Sequence, residues 1–198
     1  MEQDLRLPLG EDVARSLRVG DRLYLSGRLF TARDAAHRLL AERLARHEKP
    51  PWESSLDTVY HCGPLAARCD EGWRILSAGP TSSTRLEPYA PALVEGLSLH
   101  LLVGKGGMGE RTEQALREQG AAYAHFTGGA GALAARAVER VDDVFWLEEL
   151  GMPEAVWLLS VRRFGPLLVA IDSVGGNLYR DAAARAEARR RTLRERIG

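Results

Sequence analysis

The sequence has few cysteines, which limits the sites that the chain can form. Cys62 and Cys69 are too few for a disulfide-stabilised scaffold and lack the paired short spacings of a zinc site. An iron–sulfur cluster needs about three cysteine thiolates even when one of its irons is open. We therefore expect no conventional cluster site in this chain alone.

The chain also lacks a net charge and a long hydrophobic run. Its 27 Lys and Arg residues equal its 27 Asp and Glu residues, which argues against the basic surface of a nucleic-acid-binding protein. No apolar run approaches the length of a membrane span, and the start, MEQDLRLPLGEDV, does not resemble a signal peptide. We expect a cytoplasmic protein that binds neither nucleic acid nor membrane.

The composition is that of one globular domain. The 198 residues are 45% hydrophobic and 27% charged, enough to bury a single core. We expect one domain over residues 1–198, with its core at about residues 20–180 and a basic helix over residues 181–198. Strands alternate with helices in the middle of the chain and the end resembles a hairpin, so the predicted class is α/β with a mixed sheet.

The first half of the chain contains two predicted strand-to-helix units. Thr31 is the predicted N-cap of the first helix, because a hydroxyl there can accept a hydrogen bond from the first turn. The predicted elements are a strand at Asp21–Phe30, a helix over residues 32–48, strands at Thr58–His61 and Trp73–Ser77 flanking a turn region, and a helix that begins at Thr81–Thr84.

The second half repeats a pattern of strand, glycine loop and helix. Gly120 is predicted to end the helix after the loop GKGGMG. The predicted elements are a buried strand at Leu97–Val103, the helix closed by Gly120, a strand at Ala121–Phe126, a second glycine loop and helix over TGGAGALAARAVERV, and two strands between Ala155 and Ile171 that flank Arg162–Pro166.

Cationic and hydroxyl side chains occur at three predicted strand-to-helix junctions. Arg33 lies at the first, Thr81 and Arg85 at the second, and Lys105 at the third. Backbone N–H groups at such junctions favour an anion, and the planar arginine fork matches a carboxylate. If a helix begins near Pro80, Thr81 and Arg85 project from one face. The set favours a dicarboxylate site, although the pattern alone favours a structural interpretation, in which the glycines make tight turns and the Arg and Lys side chains lie in solvent.

Six sequence blocks in order carry a family resemblance. YLSGRLFTARDAAH, YHCGP, SAGPTSSTR, VGKGGMG, ELGMPEAVW and FGPLLVAIDSVGGNLY run from about Gly20 to Tyr179. Together they closely resemble the β subunit of iron–sulfur hydro-lyases, the class I fumarases and L-tartrate dehydratases. The resemblance implies a swivelling β/β/α fold for this chain. It also implies a separate α subunit that carries three cysteines, a 4Fe-4S cluster and a catalytic aspartate. The assembly that the resemblance implies is α2β2.

The resemblance also implies roles for individual residues. Arg33, in TARDAAH, and Arg85, in GPTSSTR, would bind substrate carboxylates, and Lys105, in GKGG, would contact substrate. Thr81 would be the base, although a threonine hydroxyl holds its proton tightly and needs neighbouring cations. The implied reaction is reversible hydration of a C4 dicarboxylate, fumarate to malate, in which a cluster iron of the partner assists loss of hydroxide.

Other functions and residue roles stay open at this point. Tartrate dehydration uses the same apparatus, and a non-catalytic dicarboxylate-binding module or a scaffold for the α subunit are the alternatives. Val174 stands where the family often has a histidine, and His61 resembles the tartrate-type members. His37 either orients substrate or makes a local hydrogen bond, and His125 either reaches the site or ends a strand. Two further residues have a functional and a structural alternative, of which the structural one is favoured: a nucleophile or a small buried residue for Cys62, and a pocket residue or a turn cap for Asp172.

Overall fold

The computed structural model describes residues 1–70 and 72–197. Its strands are β1 (Glu2–Arg6), β2 (Arg22–Thr31), β3 (Thr58–Tyr60), β4 (Leu65–Cys69), β5 (Gly72–Ser77), β6 (Leu101–Gly104), β7 (Ala122–His125), β8 (Val138–Phe145) and β9 (Val156–Ile171). Its α-helices are α1 (Glu11–Ser16), α2 (Asp34–Ala45), α3 (Ala90–Gly96), α4 (Glu110–Gln119), α5 (Gly131–Arg136), α6 (Leu147–Leu150) and α7 (Leu178–Ile197), and a 3₁₀ turn covers Ser83–Leu86.

The main sheet is mixed and closes partly on itself. Its strand order is β1-β2-β3-β6-β7-β9-β8, and β2 also pairs with β9. The pairs β1–β2, β2–β3, β3–β6 and β6–β7 are parallel, whereas β9 runs antiparallel to β2, β7 and β8. Strands β2, β3, β6, β7 and β9 therefore form a barrel-like ring. The predicted α/β class with a mixed sheet is confirmed.

Both faces of the parallel strands are buried. Successive side chains of a strand point to opposite faces. Tyr60 belongs to one buried cluster with Phe126 and Phe164, whereas its neighbour Val59 belongs to a second cluster with Leu102. The second cluster also contains residues of α2, α3 and α4, which cover that face. Burial on both faces explains the nearly continuous apolar runs of these strands.

The largest difference from the sequence-based prediction is β9. The two strands predicted between Ala155 and Ile171 form one strand, Val156–Ile171. Leu167 and Phe164 both pair with β2, and the register shifts between them, so the Arg162–Pro166 segment is an irregularity within the strand. Arg163, at φ 45, makes a local bend there. The prediction of a hairpin was wrong because pairing with distant strands overrides the local turn signal of Gly-Pro.

Smaller differences arise from pairing between distant segments. The predicted helix over TGGAGALAARAVERV ends at Arg136, and the following residues form β8 against β9. The turn region expected before Trp73 contains β4, which forms a hairpin with β5. The C-terminal helix begins at Leu178 rather than residue 181. The strand at Asp21–Phe30 and the helix closed by Gly120, at φ 66, are confirmed within a residue.

Among the described residues, none of the helices has the length and apolar character needed to cross a membrane.

Candidate active site

The candidate site lies where the parallel strands end. Arg33 follows β2, His61 follows β3, Lys105 follows β6, and His125 is the last residue of β7. Because these strands are parallel neighbours, their carboxyl ends meet at one edge of the sheet. Ligands of α/β folds bind at this edge, outside the carboxyl ends of the strands. The fold thus brings together side chains that are far apart in the sequence.

Arg33 is held at the start of α2 by two carboxylates. Its Nε lies 3.2 Å from Glu154 Oε1 and 3.4 Å from Asp34 Oδ2. Glu154 Oε2 also accepts a hydrogen bond from the backbone N–H of Ala35, at 2.8 Å. Glu154 therefore fixes both the arginine and the first turn of the helix.

The residue predicted to cap α2 has a different role. Thr31 is the last residue of β2, and the N-cap position belongs to Arg33. The Thr31 hydroxyl accepts a hydrogen bond from the backbone N–H of Trp157 at 3.2 Å. The prediction of a threonine cap was wrong because β2 runs one residue further, which turns this hydroxyl toward β9.

The segment from Thr81 to Arg85 is not the single helical face that we expected. Ser82 is extended, at φ −69 and ψ 113, and the 3₁₀ turn begins only at Ser83. The Thr81 N–H donates to the His61 carbonyl at 2.7 Å, which ties this residue to the end of β3. The side chain of Arg85 is 55% exposed, and its Nη2 lies 3.0 Å from Asp34 Oδ2. Arg85 thus reaches the same carboxylate that contacts Arg33.

Lys105 is joined to the Thr81–Arg85 segment through backbone contacts. Its N–H donates to Ser83 Oγ at 3.1 Å, and its carbonyl accepts from the Ser83 N–H at 2.8 Å. Its side chain runs beside Gly128, where an added Cβ would lie 3.1 Å from Lys105 Cδ. The two glycine loops therefore meet along the lysine side chain.

The electrostatic character of the site is cationic but partly compensated. Arg33, Arg85 and Lys105 supply three positive charges, while Asp34 and Glu154 supply two negative charges. The carboxylates contact Arg33 through Nε, which leaves its terminal nitrogens available to other acceptors. Such an arrangement can bind and orient a dianion that carries two carboxylates.

Two buried histidines lie beneath these residues. His37 Nδ1 is 3.0 Å from the Arg33 carbonyl, the local hydrogen bond that was one of its two expected roles. Burial lowers the pKa of His37 to about 4. The His61 ring lies 5.0 Å from that of His37, and burial holds the pKa of His61 well below its usual range. Both rings are therefore neutral near pH 7.

His125 lies at the rim of the site. Its Nδ1 is 2.9 Å from the hydroxyl of Tyr179, and burial lowers the pKa of His125. The Tyr179 ring covers Gly107 of the GKGGMG loop, where an added Cβ would lie 3.1 Å from the ring. His125 thus both ends a strand and borders the loop that carries Lys105.

The described residues do not fit an iron–sulfur cluster. Cys62 is fully buried, and burial raises the pKa of its thiol, whereas Cys69 is exposed. Among the residues that the structure describes, no group of three or more His, Cys, Asp or Glu side chains could hold a metal ion. The donor set of the described residues is therefore wrong for a cluster.

Asp172 has the turn-capping role that we considered for it. Its carboxylate accepts hydrogen bonds from the N–H groups of Val19, Val174 and Gly176, at distances of 3.0, 3.1 and 2.8 Å. This carboxylate orders the turn before α7. It also ties that turn to the segment that precedes β2.

Sequence reasoning missed four residues of this arrangement. Asp34 and Glu154 contact Arg33, while Ser83 and Tyr123 contact the Lys105 loop. Asp34, Glu154 and Ser83 lie inside the blocks TARDAAH, ELGMPEAVW and GPTSSTR, so the same motifs could have pointed to them. Tyr123 lies in a plain apolar strand and has no such signal.

Comparison with known proteins defines the class. The chain belongs to the Fumarase C-terminus family, whose model matches residues 2–182. The predicted resemblance to hydro-lyases of the fumarase and tartrate dehydratase type is confirmed, and so is the enzyme class.

Individual relatives are similar over most of this chain. It is 37% identical to the L(+)-tartrate dehydratase subunit beta of Escherichia coli K12 over 198 residues, which cover 100% of this chain and 96% of the relative. A Methanocaldococcus jannaschii protein, named as a candidate for the same subunit, is 41% identical over 84% of this chain and 86% of its own length. A candidate class I fumarate hydratase of Geobacillus stearothermophilus is 39% identical over 89% of this chain, but over only 33% of its own length.

Proposed function

We propose that this chain is the β subunit of a 4Fe-4S-dependent hydro-lyase that reversibly hydrates a C4 dicarboxylate, converting fumarate to malate. The observation that carries the proposal is the contact of Arg33 and Arg85 with one carboxylate, Asp34. Two guanidinium groups close enough to share a carboxylate can also bind one end of a small diacid. Lys105, on the adjoining loop, would contact the same substrate.

The chemistry of such a reaction requires a base and stabilisation of negative charge. Removing a proton from the carbon next to a carboxylate adds a further negative charge, which spreads onto that carboxylate and is stabilised by preorganised cations. We assign Arg33 and Arg85 to the substrate carboxylates and Thr81 to the proton transfer. Thr81 lies four residues before Arg85, and its backbone is anchored to His61. A cation beside the Thr81 hydroxyl would favour the alkoxide form that a threonine base needs.

Dehydration of L-tartrate is the second candidate reaction. The names of the relatives support it, because those matched over most of their length are given as tartrate dehydratase β subunits. Tartrate also carries two carboxylates, so Arg33, Arg85 and Lys105 would serve both reactions. A non-catalytic dicarboxylate-binding module would use the same cations without the Thr81 hydroxyl.

We further propose that the active site is shared with a second chain. The two cysteines of this chain do not suit a cluster, and the relatives of matching length are named as β subunits. A cluster-bearing α subunit in an α2β2 assembly would supply the metal centre. In this proposal residues 1–198 form one domain, with a core at about residues 20–180 and the terminal helix appended to it.

Activity of the assembled enzyme tests this function. The chain is co-expressed with a cysteine-bearing α subunit of this family from the same genome, the cluster is reconstituted without oxygen, and turnover of fumarate, malate and L-tartrate is followed. We expect turnover of one diacid that needs both chains. Arg85→Ala should lower kcat/KM by roughly 10- to 100-fold, because a hydrogen-bonded charge pair contributes about 1.5–3 kcal/mol. Arg85→Lys should restore only part of this loss.

Arg111→Ala is the matched control. Arg111 is an exposed arginine in the first turn of α4, and its removal should leave kcat/KM unchanged. No turnover of any diacid by an assembled, cluster-loaded complex would contradict the proposal. Diacid binding without turnover would favour the binding-module alternative. Full activity of Arg85→Ala would instead favour a scaffold role.

A further inference from the structure

A buried hydrogen-bond network joins the two loops that carry the candidate site residues. Ser83 Oγ lies 2.9 Å from His61 Nδ1, 3.0 Å from the Tyr123 hydroxyl and 3.1 Å from the Lys105 backbone nitrogen. The Tyr123 hydroxyl also lies 2.7 Å from the Gly106 carbonyl. Ser83, His61 and Tyr123 are fully buried, so none of them is open to substrate.

The donors available limit the proton positions in this network. The Lys105 N–H can only donate, so Ser83 Oγ accepts from it. The Tyr123 hydroxyl makes its shorter contact to the Gly106 carbonyl, which can only accept. The Ser83 hydroxyl proton then has two possible acceptors, His61 Nδ1 and the Tyr123 oxygen. In both arrangements His61 Nδ1 shares a hydrogen bond with Ser83 Oγ, and burial keeps the imidazole ring neutral.

Each of the three residues holds a different part of the site. The His61 carbonyl accepts the Thr81 N–H at 2.7 Å, and Ser83 exchanges two hydrogen bonds with the Lys105 backbone. Tyr123 fixes the next residue of that loop through the Gly106 carbonyl. The network thus sets how far the Thr81–Arg85 segment lies from Lys105.

Close packing at the end of β6 leaves this network little freedom. A Cβ added to Gly104 would lie 1.9 Å from Ser83 Oγ and 2.9 Å from His61 Nδ1. Only glycine allows the strand to approach the serine and histidine this closely. The position of Ser83 is therefore fixed from the strand side as well as by its hydrogen bonds.

We propose that His61, Ser83 and Tyr123 are positioning residues that hold Thr81 and Lys105 in register for the reaction. The proposal rests on the function proposed above, and none of the three residues touches substrate. Catalysis is sensitive to such placement, because a shift of about 1 Å can cost about 100-fold in rate. The network acts through the backbones of the two loops that carry Thr81 and Lys105.

Variants of the assembled enzyme test this role. Ser83→Ala and Tyr123→Phe should each lower kcat by about 10- to 100-fold, with a smaller change in KM. Tyr60→Phe is the matched control, because it removes another buried tyrosine hydroxyl, one that donates to the Ala78 carbonyl at 2.6 Å. Tyr60 faces the opposite side of the sheet from Tyr123, so its loss should lower stability but spare kcat.

A pair of His61 variants separates positioning from simple loss of packing. In His61→Asn the amide group can lie near the position of Nδ1 and keep a hydrogen bond with Ser83 Oγ. In His61→Gln the amide reaches toward the position of Nε2 instead. We expect the kcat of His61→Asn to be at least fivefold higher than that of His61→Gln, while the two variants have similar thermal stability. Equal kcat in the two variants, or kcat of Ser83→Ala equal to that of Tyr60→Phe, would overturn the proposal.

Amide hydrogen exchange keeps this test separate from the proposed activity. In the isolated chain, Ser83→Ala should accelerate exchange of the Lys105 amide, which loses its acceptor, while Tyr60→Phe should not. Unchanged exchange at Lys105 would overturn the network itself. If the wild-type complex turns over no diacid but this exchange changes as expected, the proposed function fails while the hydrogen-bond network stands. If Ser83→Ala does not assemble, Tyr123→Phe decides the kinetic test.

Discussion

Asp34 Oδ2 lies 3.0 Å from Nη2 of Arg85, and this contact links α2 to the 3₁₀ turn that follows Thr81. The same oxygen lies 3.4 Å from Nε of Arg33. One carboxylate therefore holds together the two arginines that we assign to substrate binding. The side chains of Asp34 and Arg85 are both partly exposed, so solvent screening keeps the interaction between them weak.

Removing the Asp34 charge tests whether this carboxylate orients the arginines. Asp34→Asn should raise KM for the diacid by up to about fivefold, since an exposed ion pair contributes up to about 1 kcal/mol. We expect little change in kcat, because the arginines hold substrate before and during the reaction. Steady-state kinetics of the assembled enzyme provide the measurement. A lower KM would mean that Asp34 competes with substrate.

The Thr81 hydroxyl can be removed without changing side-chain shape. Thr81→Val should lower kcat by about 100- to 10,000-fold, the usual contribution of general acid–base catalysis, and should leave KM nearly unchanged. Thr81→Ser keeps the hydroxyl and should retain most activity. The hydrogen bond from the Thr81 N–H to His61 persists in both variants, so the loop stays anchored. A kcat of Thr81→Val within threefold of the wild-type value would exclude Thr81 as the base.

Gly104 and Gly79 form a matched pair for testing close packing at the site. Gly104→Ala should lower the free energy of unfolding by about 1–3 kcal/mol, because the new methyl group would overlap Ser83 Oγ. At Gly79 an added Cβ would have Gly131 Cα as its nearest contact, at 3.6 Å, which is ordinary packing. Gly79→Ala should therefore be nearly neutral. Urea unfolding of the isolated chain measures both variants, and equal stabilities would contradict the packing argument.

The buried His37 should make stability depend on pH. In the unfolded chain the His37 side chain takes up a proton near pH 6.5. In the folded chain burial lowers the pKa of His37 to about 4. The free energy of unfolding should therefore fall as pH decreases through this window, by roughly 3 kcal/mol for His37 alone. His61 acts in the same direction.

His37→Asn should flatten this pH dependence, as measured by urea unfolding between pH 7 and pH 4. His47→Asn is the control, since His47 is exposed and its φ of 59 suits asparagine. It should leave the slope unchanged. If the slopes of the two variants were equal, His37 would not be the source of the effect.

Motif order and local pattern predicted much of what lies near the site. The strand before Arg33, the helix closed by Gly120 and the glycine loop at Lys105 follow from local signals that are strong in this sequence. The cations themselves were identified because their side-chain chemistry suits carboxylates. Their partners were not, because an aspartate beside an arginine in the sequence can point anywhere until the chain folds.

Residue types in a fixed order were enough to predict the family, the mixed α/β class and the candidate cations. The folded chain was needed to show that β9 is one strand, that Arg33 and Arg85 share Asp34, and that Ser83 joins His61, Tyr123 and Lys105. Each of these features depends on contacts between segments distant in the chain. Such contacts are set by strand pairing and burial, which override local preference.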